Sequence, residues 1–517
     1  MKKISGYLLI TVIILVNACT TSKNAGVRTD DGKIDITLVQ INDVYEIAPL
    51  DGGKAGGMAR ISTIKKDYLR TNPNTFLVIA GDFLSPSVYN SLSYNNSKIR
   101  GKQMVDVMNT AGVDLAVFGN HEFDISESDL QKRINESNFT WVSSNTFHKK
   151  GNDIVPFAKE NATGTAAFPE TYIMTVKDKD GTTVRIGYIG LTLPFNKAPY
   201  VSYTDVFFSA QTAYDKIKDS CDAVIAITHQ ALDDDIKLAR QIPGLALIIG
   251  GHEHERHYAK IGNVYITKAD ANAKSAYILS MLINKNKHDV VIKSNIIDVN
   301  EKIALDSATD VVVKKWTAIA DNNYASLGFD ARKVVLQNGE PLDGREAYIR
   351  TGKTNFTKLI VAAMEKASPT ADVVMINSGS IRVDDILQMP VTQYDIIRSL
   401  PFGGSIMEVD MKGSLLIKIL TVGKKNLGSG GFLQYSEVLS NDSNTGIWTL
   451  KNIPVDANKI YKVALTDFLI TGGEANLSFL TKDNSDIEKI YPVFTELNDT
   501  RSDIRRAIIK YMEEKGK

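Results

Sequence analysis

Short apolar runs, separated by polar loops and helical segments, dominate the pattern of this chain from Ile34 onward. The first run, Ile34 to Ile41, alternates apolar and polar residues and then loses the alternation at Leu38-Val39, which indicates that its second half is covered on both faces. Comparable runs predict further strands at Phe76–Ala80, Leu115–Phe118, Thr140–Ser143, Val184–Gly190, Ala223–Ile227 and Leu245–Ile249. Helical patterns lie between them, at Met58–Leu69 and around Lys102–Thr110. Such runs are typical of an α/β sheet buried on both faces.

Five of these runs end on polar side chains. The residues at the run ends are Asp43, Asp82, the pair Asn120-His121, His229, and the pair His252 and His254. Four of the chain's 7 histidines therefore lie at strand ends. Because ligand crevices in such sheets lie beyond the carboxyl ends of the strands, we expect these residues to converge at one edge.

Oxygen and nitrogen ligands without thiolate suit Zn, Mn, Fe or similar ions. The predicted set holds more ligands than one ion needs. Two ions about 3.5–4 Å apart, bridged by a carboxylate, form the usual hydrolytic arrangement for phosphate esters, in which a metal-bound water attacks phosphorus. The sequence has no G-x-S-x-G motif and no G-x-x-x-x-G-K-[ST] motif, and the glycine-rich segment Gly52–Gly57 is interpreted as a simple loop.

The motifs at these ends are Asp43-x-Tyr45, Gly81-Asp82, Gly119-Asn120-His121-Glu122, Thr228-His229 and Gly251-His252-x-His254. Their order and spacing resemble those of the bacterial 5′-nucleotidase / UDP-sugar hydrolase family. The resemblance covers nearly all of the mature chain. It implies an N-terminal four-layer αββα metallophosphoesterase sandwich, joined by a linker helix to a C-terminal α/β (α+β) 5′-nucleotidase substrate-binding domain.

The resemblance also implies roles for the ligands. Asp82 would bridge two divalent or mixed-valence ions, with Zn, Mn, Fe and Co left undistinguished. Asn120, His229 and His252 would complete one metal site, and Asp43 and His254 would belong to the other. His121, oriented by Asp124, would be catalytic and donate hydrogen bonds or a proton to the phosphate and leaving group. Glu122 receives no role.

Tyr45 is a departure, because the family normally has histidine at this position. Two interpretations stay open. In the first, Tyr45 packs to the side and a water takes its place, which weakens the site of the first ion. In the second, its phenolate is a metal ligand for a trivalent ion such as Fe.

The second half of the chain shows a change of pattern. Polar and charged residues from Asn300 to Ser326 predict a linking helix, within a linker region at 301–335 that follows a metallophosphoesterase domain at 34–300. A substrate-binding domain is predicted at 336–517. By the resemblance, Phe402 and Phe468 sandwich the base, which suits an aromatic clamp that tolerates several bases.

Other substrate contacts follow from the same resemblance. Arg350 and Arg382 would hold phosphates, since arginine binds phosphate with two parallel hydrogen bonds. Asn377 would help to fix the base, and Gly430 lies in the glycine-rich turn Gly428–Phe432 of the substrate site. Glu474 stands where the family usually has aspartate and could still accept hydrogen bonds from ribose hydroxyls. Lys353, Thr357 and Lys358 also depart from the family pattern. The prediction of a nucleotide substrate is therefore supported by fewer matching residues than the prediction of phosphate-ester hydrolysis.

Composition and the N-terminal segment indicate in which compartment the protein lies and which partners it has. The chain of 517 residues predicts two to four domains, and its 60 basic and 60 acidic residues give no field that would attract nucleic acid. A basic, then apolar segment at 1–19 ends on Val16-Asn17-Ala18-Cys19, which is interpreted as a lipoprotein signal peptide with Cys19 as the lipidation site. An ordinary signal peptide in which Cys19 is incidental is the alternative. Residues 20–33 would form a flexible tether.

These observations predict an exported lipoprotein on the periplasmic face of the membrane or on the cell surface. Its predicted activity is a metal-dependent, 5′-nucleotidase-like removal of phosphate from nucleotides outside the cytoplasm. The expected partners are the nucleotide and, through the lipid anchor, the membrane, with no obligate protein partner evident. Cyclic 2′,3′-phosphodiesterase and UDP-sugar pyrophosphatase activity are alternatives within the same chemistry. A non-catalytic nucleotide-binding lipoprotein with a degenerate first metal site is the alternative of another class.

Overall fold

The computed structural model describes residues 30–162, 164–195 and 197–516. Its N-terminal part is rich in strands: β1 (Lys33–Ile41), β2 (Thr75–Ala80), β3 (Ser93–Tyr94), β4 (Ser97–Lys98), β5 (Leu115–Val117), β6 (Thr140–Trp141), β7 (Thr146–Lys150), β8 (Asp153–Val155), β9 (Ala158–Asn161), β10 (Gly164–Ala167), β11 (Thr171–Lys177), β12 (Thr183–Thr192), β13 (Val201–Tyr203), β14 (Ala223–His229), β15 (Leu247–Gly251), β16 (His257–Ile261), β17 (Val264–Lys268), β18 (Ser275–Asn284) and β19 (Asp289–Asp298). Its helices are α1 (Met58–Thr71), α2 (Lys102–Ala111), α3 (Glu127–Glu136), α4 (Val206–Ile217) and α5 (Leu232–Gln241).

Two large sheets of the N-terminal part pack face to face. One has the strand order β19-β18-β1-β2-β5-β6 and the other the order β11-β12-β14-β15-β17-β16. A buried apolar layer lies between them, α1 and α2 cover the outer face of the first sheet, and α4 and α5 cover that of the second. The predicted four-layer αββα sandwich is confirmed.

The residue pattern of β1 explains how it becomes a central strand. Ile34, Ile36 and Leu38 point into the layer between the sheets, whereas Val39 and Ile41 belong to the apolar cluster under α1 and α2. The alternation is lost where helices begin to cover the second face, as the sequence predicts. β1 pairs in parallel with β2 and antiparallel with β18. Both neighbouring strands form hydrogen bonds with the backbone of β1, so the residues that follow β1 start from a fixed position.

The linking helix α6 (Ser307–Ser326) is part of the core. Asp306 caps its N-terminus by accepting a hydrogen bond from the Thr309 amide at 3.0 Å. Trp316 is fully buried, and its indole Nε1 donates to Asp106 on α2 at 3.2 Å. One apolar cluster runs from α1 through α6 to the C-terminal helix. The helix is therefore packed on the N-terminal sandwich along its length.

The C-terminal part contains the strands β20 (Val334–Leu336), β21 (Leu342–Asp343), β22 (Val373–Asn377), β23 (Ile386–Leu387), β24 (Val391–Thr392), β25 (Ile406–Lys412), β26 (Leu433–Tyr435), β27 (Leu439–Asn441), β28 (Trp448–Leu450), β29 (Ile453–Pro454), β30 (Ile460–Thr466) and β31 (Ile487–Ile490). Its helices are α7 (Glu346–Ile349), α8 (Asn355–Ala367), α9 (Gln393–Ser399), α10 (Gly413–Lys425) and α11 (Ile504–Lys515). The main sheet has the order β26-β22-β30-β25-β31, with mixed parallel and antiparallel pairing. Among the described residues, no helix combines the length and the apolar character that a membrane crossing requires.

Candidate active site

The carboxyl ends of five strands supply the polar cluster. Asp43 follows β1, Asp82 follows β2 and Asn120 follows β5 in the first sheet. His229 is the last residue of β14, and His252 follows β15 in the second sheet. Four of the five side chains are buried, and that of His252 is partly buried. The sequence expectation that these residues meet at one edge is confirmed by their contacts.

Asp43, Asp82 and His229 form the centre of the cluster, with one ligand atom of each within 4.8 Å of the others. Nε2 of His229 lies 3.0 Å from Oδ2 of Asp82 and 3.9 Å from Oδ1 of Asp43. His254 borders the group, with its Nε2 3.4 Å from the same Asp43 oxygen. His252 approaches from the other side, where its ring centroid is 5.4 Å from that of His229.

Strained backbone presents several of these side chains. Asp43, Asp82, His252 and His254 have φ values of 52°, 53°, 92° and 59°, in the left-handed region that non-glycine residues rarely adopt. Each such residue costs about 1–3 kcal/mol and persists where the surroundings over-determine it. Gly119 is required for a related reason, since a Cβ there would lie 2.1 Å from Oδ1 of Asp82. These turns place their side chains at the cluster, and the strained backbone lowers the local stability.

The donor set fits metal ions. Oδ1 of Asn120 is buried without a hydrogen-bond partner, which is costly unless a cation satisfies it. Nε2 of His229 faces carboxylate oxygens of both Asp82 and Asp43, an arrangement that a shared cation also suits. Burial and the neighbouring His229 lower the pKa of His252 to about 4, which keeps its imidazole neutral as a ligand must be. Burial favours the neutral imidazole of His229, but the carboxylates of Asp82 and Asp43 raise the pKa of this imidazole to about 9, which reflects their attraction for positive charge at this position.

The Tyr45 hydroxyl lies within the cluster. It is 2.9 Å from Nε2 of His254, 3.3 Å from Oδ2 of Asp82 and 3.4 Å from Oδ1 of Asp43. Tyr45 does not pack to the side, which removes the geometric basis of the first interpretation. Burial, with the charges of Asp82 and Asp43, raises the pKa of its phenol well above the usual value, so a phenolate here would need a cation beside it.

His121 and Asp124 form a pair next to the cluster. They belong to a 3-10 turn at His121–Asp124, and Nδ1 of His121 lies 2.7 Å from Oδ2 of Asp124. The backbone amide of His121 also donates to Oδ1 of Asp82 at 2.8 Å. Burial alone would lower the pKa of this imidazole, but Asp82 and Asp124 raise it. The ring is held by one nitrogen, which leaves Nε2 as the nitrogen that can exchange a proton.

Glu122, which the sequence left without a role, holds the two ligand turns together. Its buried carboxylate accepts hydrogen bonds from the amides of Asp82 at 2.9 Å, Phe83 at 2.7 Å, Leu84 at 3.0 Å and Gly119 at 2.6 Å. One side chain therefore satisfies the backbone of the turn after β2 and the turn after β5. No local sequence signal separates this carboxylate from Asp124, two residues further on.

A buried lysine supports the second sheet's ligand turns and was also missed. Lys268 donates to the carbonyl of Gln230 at 2.6 Å and to that of Gly251 at 2.8 Å, directly beside His229 and His252. Its charge is balanced by Asp235, at 3.0 Å, and by Glu253. Lys268 ends an ordinary apolar strand, so its burial could be recognised only from the tertiary structure.

The C-terminal part faces the cluster across a cleft. A cavity of about 880 Å³ is lined by Ser85, Phe123 and Asp124 from the N-terminal side and by Arg382 and Phe402 from the C-terminal side. Phe402 is 73% exposed, so its ring offers an open apolar face at this cavity. Arg382 and Phe402 therefore share a cavity with the catalytic candidate Asp124.

Arg350 lies on a neighbouring cleft of about 800 Å³, together with His252 and His254. Burial is the main cause that lowers the pKa of its guanidinium. The carboxylate of Glu346 raises this pKa, and the positive charge of Arg382 lowers it further. The charges of Arg350 and Arg382 are thus close enough to repel each other. A phosphate between them would relieve this repulsion.

The remaining predicted substrate residues form a separate group around β22. The Asn377 amide Nδ2 donates to Oε2 of Glu474 at 2.5 Å, so the two side chains are hydrogen-bonded to each other. Gly430 and Gly379 approach closely, with the Gly379 amide donating to the Gly430 carbonyl at 2.7 Å. Phe468 is 43% exposed. Cys19, the predicted lipidation site, and the segment 1–19 lie outside the described residues.

The fold and this donor set define a class. The two-domain metallophosphoesterases have this architecture. They combine an αββα sandwich, with carboxylate and imidazole side chains at its strand ends, and a separate α/β domain that follows it. Residues 36–256 match the family model of the calcineurin-like phosphoesterases, and residues 334–481 match that of the 5′-nucleotidase C-terminal domain. The chain therefore carries a calcineurin-like phosphoesterase domain followed by a 5′-nucleotidase C-terminal domain, and it is an enzyme of the phosphoric monoester hydrolase class. The family implies divalent metal ions.

Two curated relatives match this chain over most of their own length. The chain is 25% identical over 505 residues to a 5′-nucleotidase of Bos taurus, a match that covers 85% of this chain and 83% of that protein. It is 26% identical over 513 residues to protein UshA of Yersinia enterocolitica, with 86% of each chain covered. Among solved structures, the 5′-nucleotidase precursor of Thermus thermophilus is similar with a TM-score of 0.66 and 22% identity, over 93% of this chain and 97% of that one.

Proposed function

We propose that this enzyme is an exported 5′-nucleotidase that removes phosphate from nucleotides at a binuclear metal site. The observation that carries the proposal is the link between two features through the His121–Asp124 pair. On one side, the amide of His121 donates to Asp82 of the buried carboxylate and imidazole cluster. On the other side, Asp124 lines the same cavity as an arginine and an exposed aromatic ring, Arg382 and Phe402.

Two metal sites share the available ligands. Asp82 would be the bridge, with Asn120, His229 and His252 on one side and Asp43, Tyr45 and His254 on the other. When bound, the ions would neutralise phosphate oxygens and lower the pKa of the attacking water. The left-handed turns of Asp43, Asp82, His252 and His254 hold the donors in place before an ion arrives, which supports this assignment.

The protein's own groups position and protonate the substrate. Arg350 and Arg382 bind phosphate oxygens, and Phe402 and Phe468 stack on the base. His121 donates a proton from Nε2 to the leaving ribose oxygen while Asp124 holds Nδ1. Glu474 accepts hydrogen bonds from ribose hydroxyls after releasing Asn377, which then turns toward the base.

The test is a phosphate-release assay over nucleoside mono-, di- and triphosphates, cyclic nucleotides and nucleotide sugars, each with Mn²⁺, Zn²⁺, Fe²⁺ and Co²⁺. We expect the highest kcat/KM with nucleoside 5′-monophosphates. A preference for cyclic or sugar nucleotides would move the activity to the phosphodiesterase or pyrophosphatase alternative. Tight nucleotide binding with no turnover of any compound would support a non-catalytic binding protein instead.

Tyr45 is proposed as a ligand that favours a trivalent ion. The placement of its hydroxyl between His254 and Asp82 supports this role. Metal analysis and visible spectra of the enzyme purified from its own host, compared with Tyr45→Phe, test it. We expect loss of colour and of one equivalent of iron in the variant. Unchanged metal content and colour would contradict the proposal.

Attachment to a membrane by lipid at Cys19 is proposed from the sequence alone. Lys2 and Lys3, the apolar segment and the small residue before Cys19 support it. Labelling cells with a radioactive fatty acid should mark the parent protein but not Cys19→Ala, which should be found in the soluble exported fraction. Equal labelling of the two would contradict the proposal.

A further inference from the structure

One loop of the C-terminal domain reaches the predicted metal ligands directly. It follows β22 and contains Arg382, Asp384 and Asp385. Oδ2 of Asp384 lies 2.5 Å from Nδ1 of His254, a residue of the N-terminal sandwich. The two residues are 130 positions apart by their numbers (384 − 254). The contact therefore joins the two domains at a predicted metal ligand.

The Asp384 carboxylate is itself held in place. Its Oδ1 accepts a hydrogen bond from the Glu346 amide at 2.5 Å, and its backbone is in the left-handed region with φ 38°. The next residue, Asp385, is 2.5 Å from Nζ of Lys274. Lys274 ends the segment whose Asn272 amide donates to the Asp43 carbonyl at 2.8 Å. The loop is thus fixed to its own domain through Glu346 and to the N-terminal sandwich through Lys274.

The contact leaves one nitrogen of His254 for the cluster. With Nδ1 occupied by Asp384, Nε2 is directed at Asp43, 3.4 Å away, and at the Tyr45 hydroxyl, 2.9 Å away. Carboxylates that accept from the second nitrogen of a metal-binding histidine fix its tautomer and ring orientation and make it a stronger ligand. Asp384 has the position and the chemistry of such a group, although it belongs to the other domain.

We propose that Asp384 is a positioning residue that orients His254 for one of the two metal ions, so that one ligand of that ion is held in orientation from across the domain boundary. The proposal rests on the binuclear site proposed above. Because His254 and Asp384 belong to different domains, the affinity of this ion depends on how the domains are docked.

Co²⁺ titration of the metal-free full-length protein, followed by calorimetry and by the visible absorption of the bound ion, tests the role. In Asp384→Asn and Asp384→Ala we expect one of two Co²⁺ sites to weaken about 10- to 100-fold, with its absorption band altered and the other site unchanged. The matched control is Glu255→Gln, which removes another carboxylate and another cross-domain ion pair (Glu255–Arg345, 3.4 Å) from the same cleft without touching the His254 ring. It should bind both ions as the parent does.

The outcomes are distinct. Two sites of parent affinity and unchanged spectrum in Asp384→Ala would overturn the positioning role and leave the binuclear proposal intact. Equal weakening of both sites, matched by Glu255→Gln, would also overturn it, because that result reports general loosening of the cleft. A parent protein that binds no Co²⁺, Mn²⁺ or Zn²⁺ would overturn the binuclear proposal and the positioning role together.

Discussion

The two halves of the active cleft are built in opposite ways. The metal-facing half is buried, with Asp43 and His229 fully inaccessible and its turns held by Glu122 and Lys268. The substrate-facing half is open, with Phe402 73% and Phe468 43% exposed. A rigid half suits chemistry that depends on exact distances between charges, whereas an open half suits substrates that enter, stack and leave. Changes in the first should therefore abolish activity, and changes in the second should alter affinity.

The largest effect is expected from Asp82→Asn. This change removes the charge shared by both proposed ions and leaves His229 without its nearest carboxylate, 3.0 Å away. We expect loss of bound metal and of phosphate release, measured by elemental analysis and by assay. The circular dichroism spectrum serves as the control for folding. Retention of both ions would show that Asp82 is not the bridge.

The next largest effect is expected from His121→Ala, which should retain both ions and lower kcat about 10²- to 10⁴-fold, because it removes a proton donor and not a ligand. Steady-state kinetics with parallel metal analysis measure this. His148→Gln is the matched control, since His148 also pairs with a carboxylate, Glu127, at 2.6 Å, but lies outside the cluster. Loss of metal in His121→Ala would mean that the role is wrongly assigned.

A moderate effect is expected in the open half. Phe402→Ala and Phe468→Ala should each raise KM for a nucleoside monophosphate, since stacking contributes about 1–3 kcal/mol per base, or about 5- to 150-fold. KM for ribose 5-phosphate, which has no base, should stay the same. Phe208→Ala is a control of matched exposure, at 72%, on helix α4. Equal losses with ribose 5-phosphate would contradict the stacking role.

The smallest effect concerns the helix between the halves. Asp306→Ala removes the cap of α6 and should lower the free energy of unfolding by about 1 kcal/mol, measured by urea denaturation. Although burial works against it, hydrogen bonds from Lys66 and Thr309 lower the pKa of Asp306 from 3.8 to about 2. A lowered pKa in the folded state means that this stabilisation is complete above pH 4 and is lost as the pH falls toward 2. A parent-to-variant difference that is constant from pH 6 to pH 2.5 would contradict the capping role.

The buried half was the more predictable from sequence. The second half of β1 and most of β2 are apolar and are followed by Asn42-Asp43 and Gly81-Asp82, and burial on both faces leaves few other interpretations of such runs. The linker helix was predicted from polar composition around a weak apolar period, and Trp316 within that period is fully buried. The assigned ligand and substrate roles themselves stay predictions until the variants above are made.

The contributions of Glu122, Lys268 and Asp384 could not be predicted. Each acts through backbone amides, carbonyls or a distant side chain that only the folded chain brings near. Glu122 is indistinguishable by composition from Asp124, although one binds four amides and the other pairs with His121. Asp384 has no local motif, because its partner His254 belongs to another domain. Long-range polar contacts of this kind leave no periodic trace in a sequence.

The Glu122 carboxylate has a consequence for how such a site can diversify. Because a single side chain ties the turn after β2 to the turn after β5, the separation of Asp82 and Asn120 is set independently of the ions that they are proposed to hold. Tyr45 lies on the turn after β1, to which Glu122 makes none of these four hydrogen bonds. Exchange of the side chain at position 45 can therefore change the metal preference while the spacing of Asp82 and Asn120 stays the same.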